Sequence, residues 1–288
     1  MDRFKLRQKP NHSRLLKIVR YGFDCDGTCT DADAERPIYI EAFKKNLLKV
    51  LKDKSVFDRL WEPTFKLVSS DLSGNGWIIN GKNIAPAHTD GILFCQAIGR
   101  VLLLADGMEE ADTGNALYKL YKRSYKDTVP QSVFRKGLVG FLNYVAQMSE
   151  AGPFVLTNSS TDAVSEKFAL LEASLPAGVT IPKMKIIGSA EKFDLDDSLT
   201  HVPEYVDLAS GKVYCRRGKY MTKLDTLFES ADPANTGYVG DSLHLDGVGA
   251  LTSGRNFFFV PNHETPREEI EYVLAHPNGF VLDSFELM

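Results

Sequence analysis

Apolar residues fall in short runs closed by turn residues: KIVRYGF (17–23), FVLT (154–157), KIIG (185–188), GYVG (237–240), FFFV (257–260) and FVLD (280–283). Runs this short and this continuous predict strands buried on both faces. Helical spacing separates several of them. Phe134, Leu138, Phe141, Val145 and Met148 recur at three and four before FVLT, and Val164, Phe168, Leu171 and Leu175 do so after it. Strand–helix–strand alternation predicts an α/β fold with a Rossmann-like parallel-sheet core.

Residues 33–130 break the rhythm. Tyr39, Phe43, Leu47 and Val50 mark one helix, SVFDRLWEPTFKLV a second and MEEADTGNALYKLYKRSY a third, with no convincing strand among them. The expected organisation is a core built from 1–32 and 131–288, with a mostly helical domain, 33–130, inserted after the first strand. The polar and proline-bearing stretches DADAERP (31–37) and KDTVPQS (126–132) read as hinges between them. ILFCQAIGRVLLLA (92–105) is too short to span a bilayer and carries Arg100, so it reads as a buried helix. PEYVDLASGKVYCRR (203–217) reads as a hairpin turning at Ser-Gly, a minor lip at the sheet edge.

Composition adds mostly exclusions. The chain of 288 residues is 43% hydrophobic and 25% charged, with a formal charge of −4, which removes any bulk attraction to nucleic acid. The first twenty residues are basic (Arg3, Lys5, Arg7, Lys9, Arg14, Lys17, Arg20), but no apolar signal core follows them, so they read as a solvated lead-in. Cys25, Cys29, Cys95 and Cys215 lack the paired spacing of a zinc site and are expected to be free thiols. With no span and no export signal, the expectation is a cytoplasmic protein that is not membrane-bound.

The chemistry lies where the runs end. Ligands of doubly wound sheets bind at the carboxyl ends of the strands. There the chain places Asp24-Cys25-Asp26-Gly27-Thr28 after the first run, Thr157-Asn158-Ser159-Ser160 after the second, and Asp241, with Asp246 beyond it, after GYVG. Acids so close repel one another unless something compensates them, and a cation is the obvious candidate. A calcium loop starting at Asp24 fails, because Cys29 stands where the sharp turn demands glycine and a strand-like segment precedes it.

FDCDGTCTD resembles motif I of the haloacid dehalogenase-like (HAD) hydrolases, VLTNSS their motif II, and YVGDSLHLD their motif IV; the insertion falls where that superfamily carries a helical cap. The resemblance implies a magnesium-dependent phosphatase acting on a small phosphorylated metabolite through an aspartyl-phosphate. Asp24 is then the nucleophile. Asp26 is general acid to the leaving oxygen and later general base to water. Asp24, Asp241 and the backbone carbonyl of Asp26 hold magnesium, with Asp246 in support. Thr157 and Asn158 bind the phosphoryl oxygens, and a motif III lysine offsets the remaining negative charge. Lys219 and Lys223 share a helical face, and Gly218-Lys219 better fits a helix start, so Lys219 is the expected lysine.

Other chemistries remain open on these residues. A dehalogenase has no need of Asp26 as proton donor, whereas a phosphonatase could recruit a cap lysine and a phosphosugar mutase uses the same core. A non-catalytic binding protein would tend to lose Asp24 or Asp241, and both are intact. The DLDD run (194–197) reads as a solvated turn and His244 as a loop residue. The near-balanced charge of 33–130 names no leaving group; that domain is expected to close over the site as a rigid body and to set substrate choice.

Overall fold

The computed structural model describes residues 18–72, 74–149, 151–208, 211–229 and 231–286. Most of the basic lead-in, and positions 209 and 210 of the expected hairpin turn, lie outside these residues. The chain divides into two compact units, one formed by 1–31 with 133–288 and the other by 32–132.

In chain order the elements are β1 (Arg20–Phe23), α1 (Ala32–Leu47), α2 (Lys54–Ser70), β2 (Trp77–Ile79), β3 (Lys82–Ala85), α3 (Gly91–Ala105), α4 (Glu110–Thr128) and α5 (Leu138–Met148). They continue with β4 (Phe154–Leu156), α6 (Thr161–Ser174), β5 (Lys185–Ile187), β6 (Tyr205–Leu208), β7 (Gly211–Tyr214) and α7 (Gly218–Phe228). The last are β8 (Thr236–Gly240), α8 (Val248–Thr252), β9 (Asn256–Phe259), α9 (Arg267–Ala275) and β10 (Gly279–Val281).

Each of the six apolar runs forms a strand of one sheet, in the order β10-β9-β8-β1-β4-β5, with every pairing parallel. Alternate residues serve opposite faces, as the strand period requires. Tyr21, Phe23, Val155, Val239 and Phe258 pack with Phe141, Leu142 and Val145 of α5 and Val164 and Phe168 of α6. Phe154, Leu156, Tyr238, Phe257 and Phe259 pack with Tyr220 and Leu224 of α7 and Val273 of α9 on the other side. Packing on both faces is what lets the central strands carry runs of apolar residues; each fully buried Phe or Leu contributes roughly 1.5–3 kcal/mol. β6 and β7 form the expected antiparallel hairpin, pairing Leu208 with Gly211.

The unit 32–132 is helical apart from β2 and β3. Phe43, Trp61, Phe94, Leu102 and Leu120 contribute to its interior, and Phe65 meets Phe94 edge to face at 4.9 Å between ring centres. The β2–β3 hairpin corrects the expectation that this region lacks strands. Asn80 and Gly81 take φ of 53° and 74°, the conformation that makes Asn-Gly a hairpin turn. The two expected hinges are also largely helical: α1 begins at Ala32, and α4 runs to Thr128 with a 3₁₀ turn over Val129–Gln131. Asp33 and Glu35 in the first turn of α1 favour helix there by countering its dipole.

Candidate active site

The registers converge the strand ends. Phe23 pairs with Val155 on one side and Val239 on the other, so Asp24, Thr157 and Asp241 emerge at one edge of the sheet. Asp24 N–H donates to Val239 O at 2.9 Å, tying the first residue past β1 to β8. The loop then closes as a helical turn, with Cys29 and Thr30 N–H both donating to Cys25 O. Gly27 has φ of 82°, and a Cβ there would stand 2.0 Å from Asp241 Oδ2. Only glycine lets the loop lie this close to the carboxylate. Thr28 Oγ1 donates to Asp241 Oδ1 at 3.0 Å, and Arg135 Nε and Nη2 donate to Gly27 O at 3.0 and 2.8 Å.

Asp24, Asp241 and Asp246 gather so that one carboxylate oxygen of each lies within 4.8 Å of the others, all three residues buried. Gly240 permits this too, since a Cβ there would meet Asp246 Cβ at 2.5 Å. The cation beside them is Lys192, not Lys219. Its Nζ lies 2.5 Å from Asp24 Oδ1 and 2.6 Å from Asp246 Oδ1, with 3% of the side chain exposed. Lys192 follows KIIG on a loop laid against the turn after β4. Ser189 N–H donates to Ser159 O, Ala190 N–H to Thr157 O, and Lys192 N–H to Asn158 Oδ1. Ser189 and Glu191 take positive φ, 52° and 56°, a conformation that side chains disfavour and that this bonding holds in place.

Lys219 is placed differently from the expectation. Its side chain is 55% exposed and its Nζ pairs with Glu191 at 2.8 Å and Asp194 at 3.4 Å. Lys223 Nζ donates to Glu191 Oε2 and Ser189 O. Both start on the helix before β8, as expected, but reach the outer side of the Lys192 loop instead of the carboxylates. Asn158 uses its side-chain oxygen to hold Lys192, and Thr157, buried, accepts from Ser159 N–H at 3.3 Å. Asp26 stands apart from the carboxylate trio: Lys167 Nζ lies 2.7 Å from its Oδ1 and Ser159 Oγ donates to its Oδ2 at 2.5 Å. Lys192 and Lys167, neither marked by a motif in the sequence, are the cations paired with the strand-end acids.

Electrostatics separates the trio from an ordinary ion pair. Burial raises the Asp24 carboxyl to about 7 despite the pull of Lys192. Burial, then the charges of Asp24 and Asp246, push Asp241 well above its usual range. Asp246 is raised by burial and held back by Lys192. For Lys192, burial alone would favour the neutral amine, but Asp24 and Asp246 outweigh it and hold the ammonium above its ordinary range. Negative charge is in excess here, every donor is a carboxylate oxygen, and a hard divalent cation would relieve the repulsion. The residues present therefore fit such an ion. Cys25 and Cys29 flank the site as neutral buried thiols, pushed well up by burial, and all four cysteines are free and buried.

No established family profile matches the chain, and no curated protein sequence does. Solved structures do. A haloacid dehalogenase-like hydrolase of Bacteroides fragilis superposes with a TM-score of 0.51 at 14% identity, covering 92% of this chain and 97% of its own. A hydrolase of the same kind from Streptococcus pneumoniae gives 0.51 at 13%, covering 93% and 95%. No helix among the described residues is long and apolar enough to cross a membrane. With a six-stranded parallel sheet, an inserted helical unit and acids at the strand ends, the chain has the fold of the haloacid dehalogenase-like hydrolases.

Proposed function

We propose that the chain is a magnesium-dependent phosphatase that hydrolyses a small phosphorylated metabolite through a phosphoryl group carried on Asp24. The observation that supports this best is the buried trio of Asp24, Asp241 and Asp246 at the carboxyl ends of β1 and β8, with Lys192 bridging Asp24 and Asp246. Asp24 and Asp241, with the Asp26 carbonyl, would hold magnesium, and Asp246 would support them. Bound there, the ion supplies charge neutralisation for the phosphoryl oxygens.

The chain's own residues do the rest. A carboxylate oxygen of Asp24 attacks phosphorus, the bond to the leaving oxygen breaks, and Asp26, entering in its protonated form, gives that oxygen its proton and becomes a carboxylate. Asp26 then takes a proton from water as the water attacks phosphorus, releasing phosphate and restoring Asp24. Thr157, with the free end of the Asn158 side chain, orients phosphoryl oxygens. Lys192 fills the role expected of Lys219, holding Asp24 in place and offsetting charge on the phosphoryl group. We assign substrate choice to the inserted unit, with the core ranges 1–32 and 131–288 carrying the chemistry.

The test is hydrolysis of a chromogenic aryl phosphate and a panel of phosphorylated metabolites, with magnesium and with a chelator. Magnesium-dependent release of phosphate supports the reading. Its absence across the panel, or an unchanged rate in the chelator, overturns it. Isomerised sugar phosphate in place of free phosphate would give the core to a mutase.

A further inference from the structure

Helix α6 carries a residue that packing alone does not explain. Its buried face consists of Val164, Lys167 and Phe168. A leucine or methionine at 167 would fill that position without desolvating an ammonium or fixing a long side chain. Lys167 is instead 3% exposed at its side chain, with Nζ 2.7 Å from Asp26 Oδ1. The other carboxylate oxygen of Asp26 accepts from Ser159 Oγ at 2.5 Å.

Both donors come from one rigid piece of structure. Ser159 lies in the turn after β4, and Ser160 opens α6 by accepting from Ala163 N–H at 3.3 Å. Lys167 stands further along the same helix, anchored beside Phe168 in the core layer. Two donors on two oxygens fix the plane of a carboxylate, which one contact would leave free to turn. Asp26 is more exposed than Asp24, with 24% of its side chain accessible against 7%, so its orientation depends on such anchors. Turned otherwise, it would bring a further carboxylate towards Asp24, where negative charge is already in excess.

We propose that Lys167 is the positioning residue for Asp26: together with Ser159 it holds the side chain in one orientation and away from the trio, so that its acid form meets the leaving oxygen and its carboxylate form the attacking water. The inference rests on the phosphatase reading above. Lys167 touches no reacting atom in this scheme, and its effect passes wholly through Asp26.

A double-mutant cycle on the full chain tests it, using D26N, K167M and the pair, with an aryl and an alkyl phosphate in magnesium. K167M is expected to lower kcat about tenfold or more on the alkyl ester with KM changed by less than about threefold, since orientation and not binding is lost. In the D26N background the same substitution should change kcat by less than about twofold, because interacting residues are non-additive. K167R, which keeps a donor, should recover part of the loss. Melting curves establish that each variant is folded; should K167M not be, S159A and K167R carry the same cycle. A loss of equal size with and without the Asp26 side chain overturns the inference, as does K167M activity equal to wild type. These outcomes, in an active wild type impaired by D26N, leave the phosphatase reading standing. A wild type without magnesium-dependent hydrolysis removes both.

Discussion

Asp24 and Asp26 stand two residues apart in one turn and sit in opposite surroundings. Asp24 shares a single ammonium with Asp246, and burial with the charges of Asp246 and Asp26 leaves it short of compensation. Asp26 meets a lysine and a hydroxyl, one on each oxygen. The first surroundings suit a divalent cation and, on the proposed function, a phosphoryl group on Asp24; the second hold a carboxylate still. Changes at the two places should accordingly differ in kind.

The largest contrast should come from D24N. Turnover should fall by roughly 10⁴-fold or more, as for loss of a nucleophile, while the metal-free protein melts no lower than wild type, because a repelling charge has gone. Parallel kinetics and melting curves check both halves, and a lower melting point would mean that Asp24 is compensated after all.

K192M should act on both properties. Losing its charge should cost about 10²–10³ in kcat. It should also lower metal-free stability by about 3–5 kcal/mol, since two buried carboxylates lose their partner. Denaturant unfolding with and without magnesium separates these, and the stability loss should shrink when the ion is present.

The comparison also has a pH signature. The folded Asp24 carboxyl lies at about 7 against an ordinary 3.8, so between these values the native state holds more protons than the unfolded one. Stability from this group is complete below the lower value and is lost as pH rises through the higher. The metal-free protein should therefore melt roughly 5–10 °C lower at pH 8 than at pH 5, and magnesium should restore most of the difference at pH 8. A melting point that rises over that interval without metal would contradict the crowded state of the trio.

The smallest effect belongs to K219A. Its exposed pairs with Glu191 and Asp194 should leave the melting point nearly unchanged, and kcat should stay within about twofold of wild type, since Lys219 reaches no carboxylate of the trio. A loss as large as that of K192M would restore the role first expected of it.

The placing of Lys192 rather than Lys219 beside the acids has a physical reason. The six strands are legible because each is a continuous apolar run, and the acids because they stand at the ends of those runs. Lys192 stands at such an end too, after KIIG, but residues 193–217, including the β6–β7 hairpin, separate it from α7. Tying the lysine to a helix start points past it. Lys167 is less legible: on a helix of mixed composition a lysine reads as solvated, and only the strand-end loop across from it reveals a partner. The Asn-Gly at 80–81 was a readable hairpin signal in a region dominated by helical spacing. DADAERP reads as a linker by composition, yet its early acids suit the first turn of α1 equally well.

On the proposed function a phosphoryl group passes through Asp24, and trapping it on the enzyme decides the matter. Enzyme mixed with excess aryl phosphate and magnesium, quenched in acid within the first turnovers, would be digested and mapped by mass spectrometry. The account predicts one phosphoryl group on the peptide carrying Asp24, more abundant in D26N, where its hydrolysis by water is slowed, and absent from D24N and from samples without magnesium. Sustained phosphate release with Asp24 never modified, or a phosphorylated peptide persisting in D24N, would contradict it.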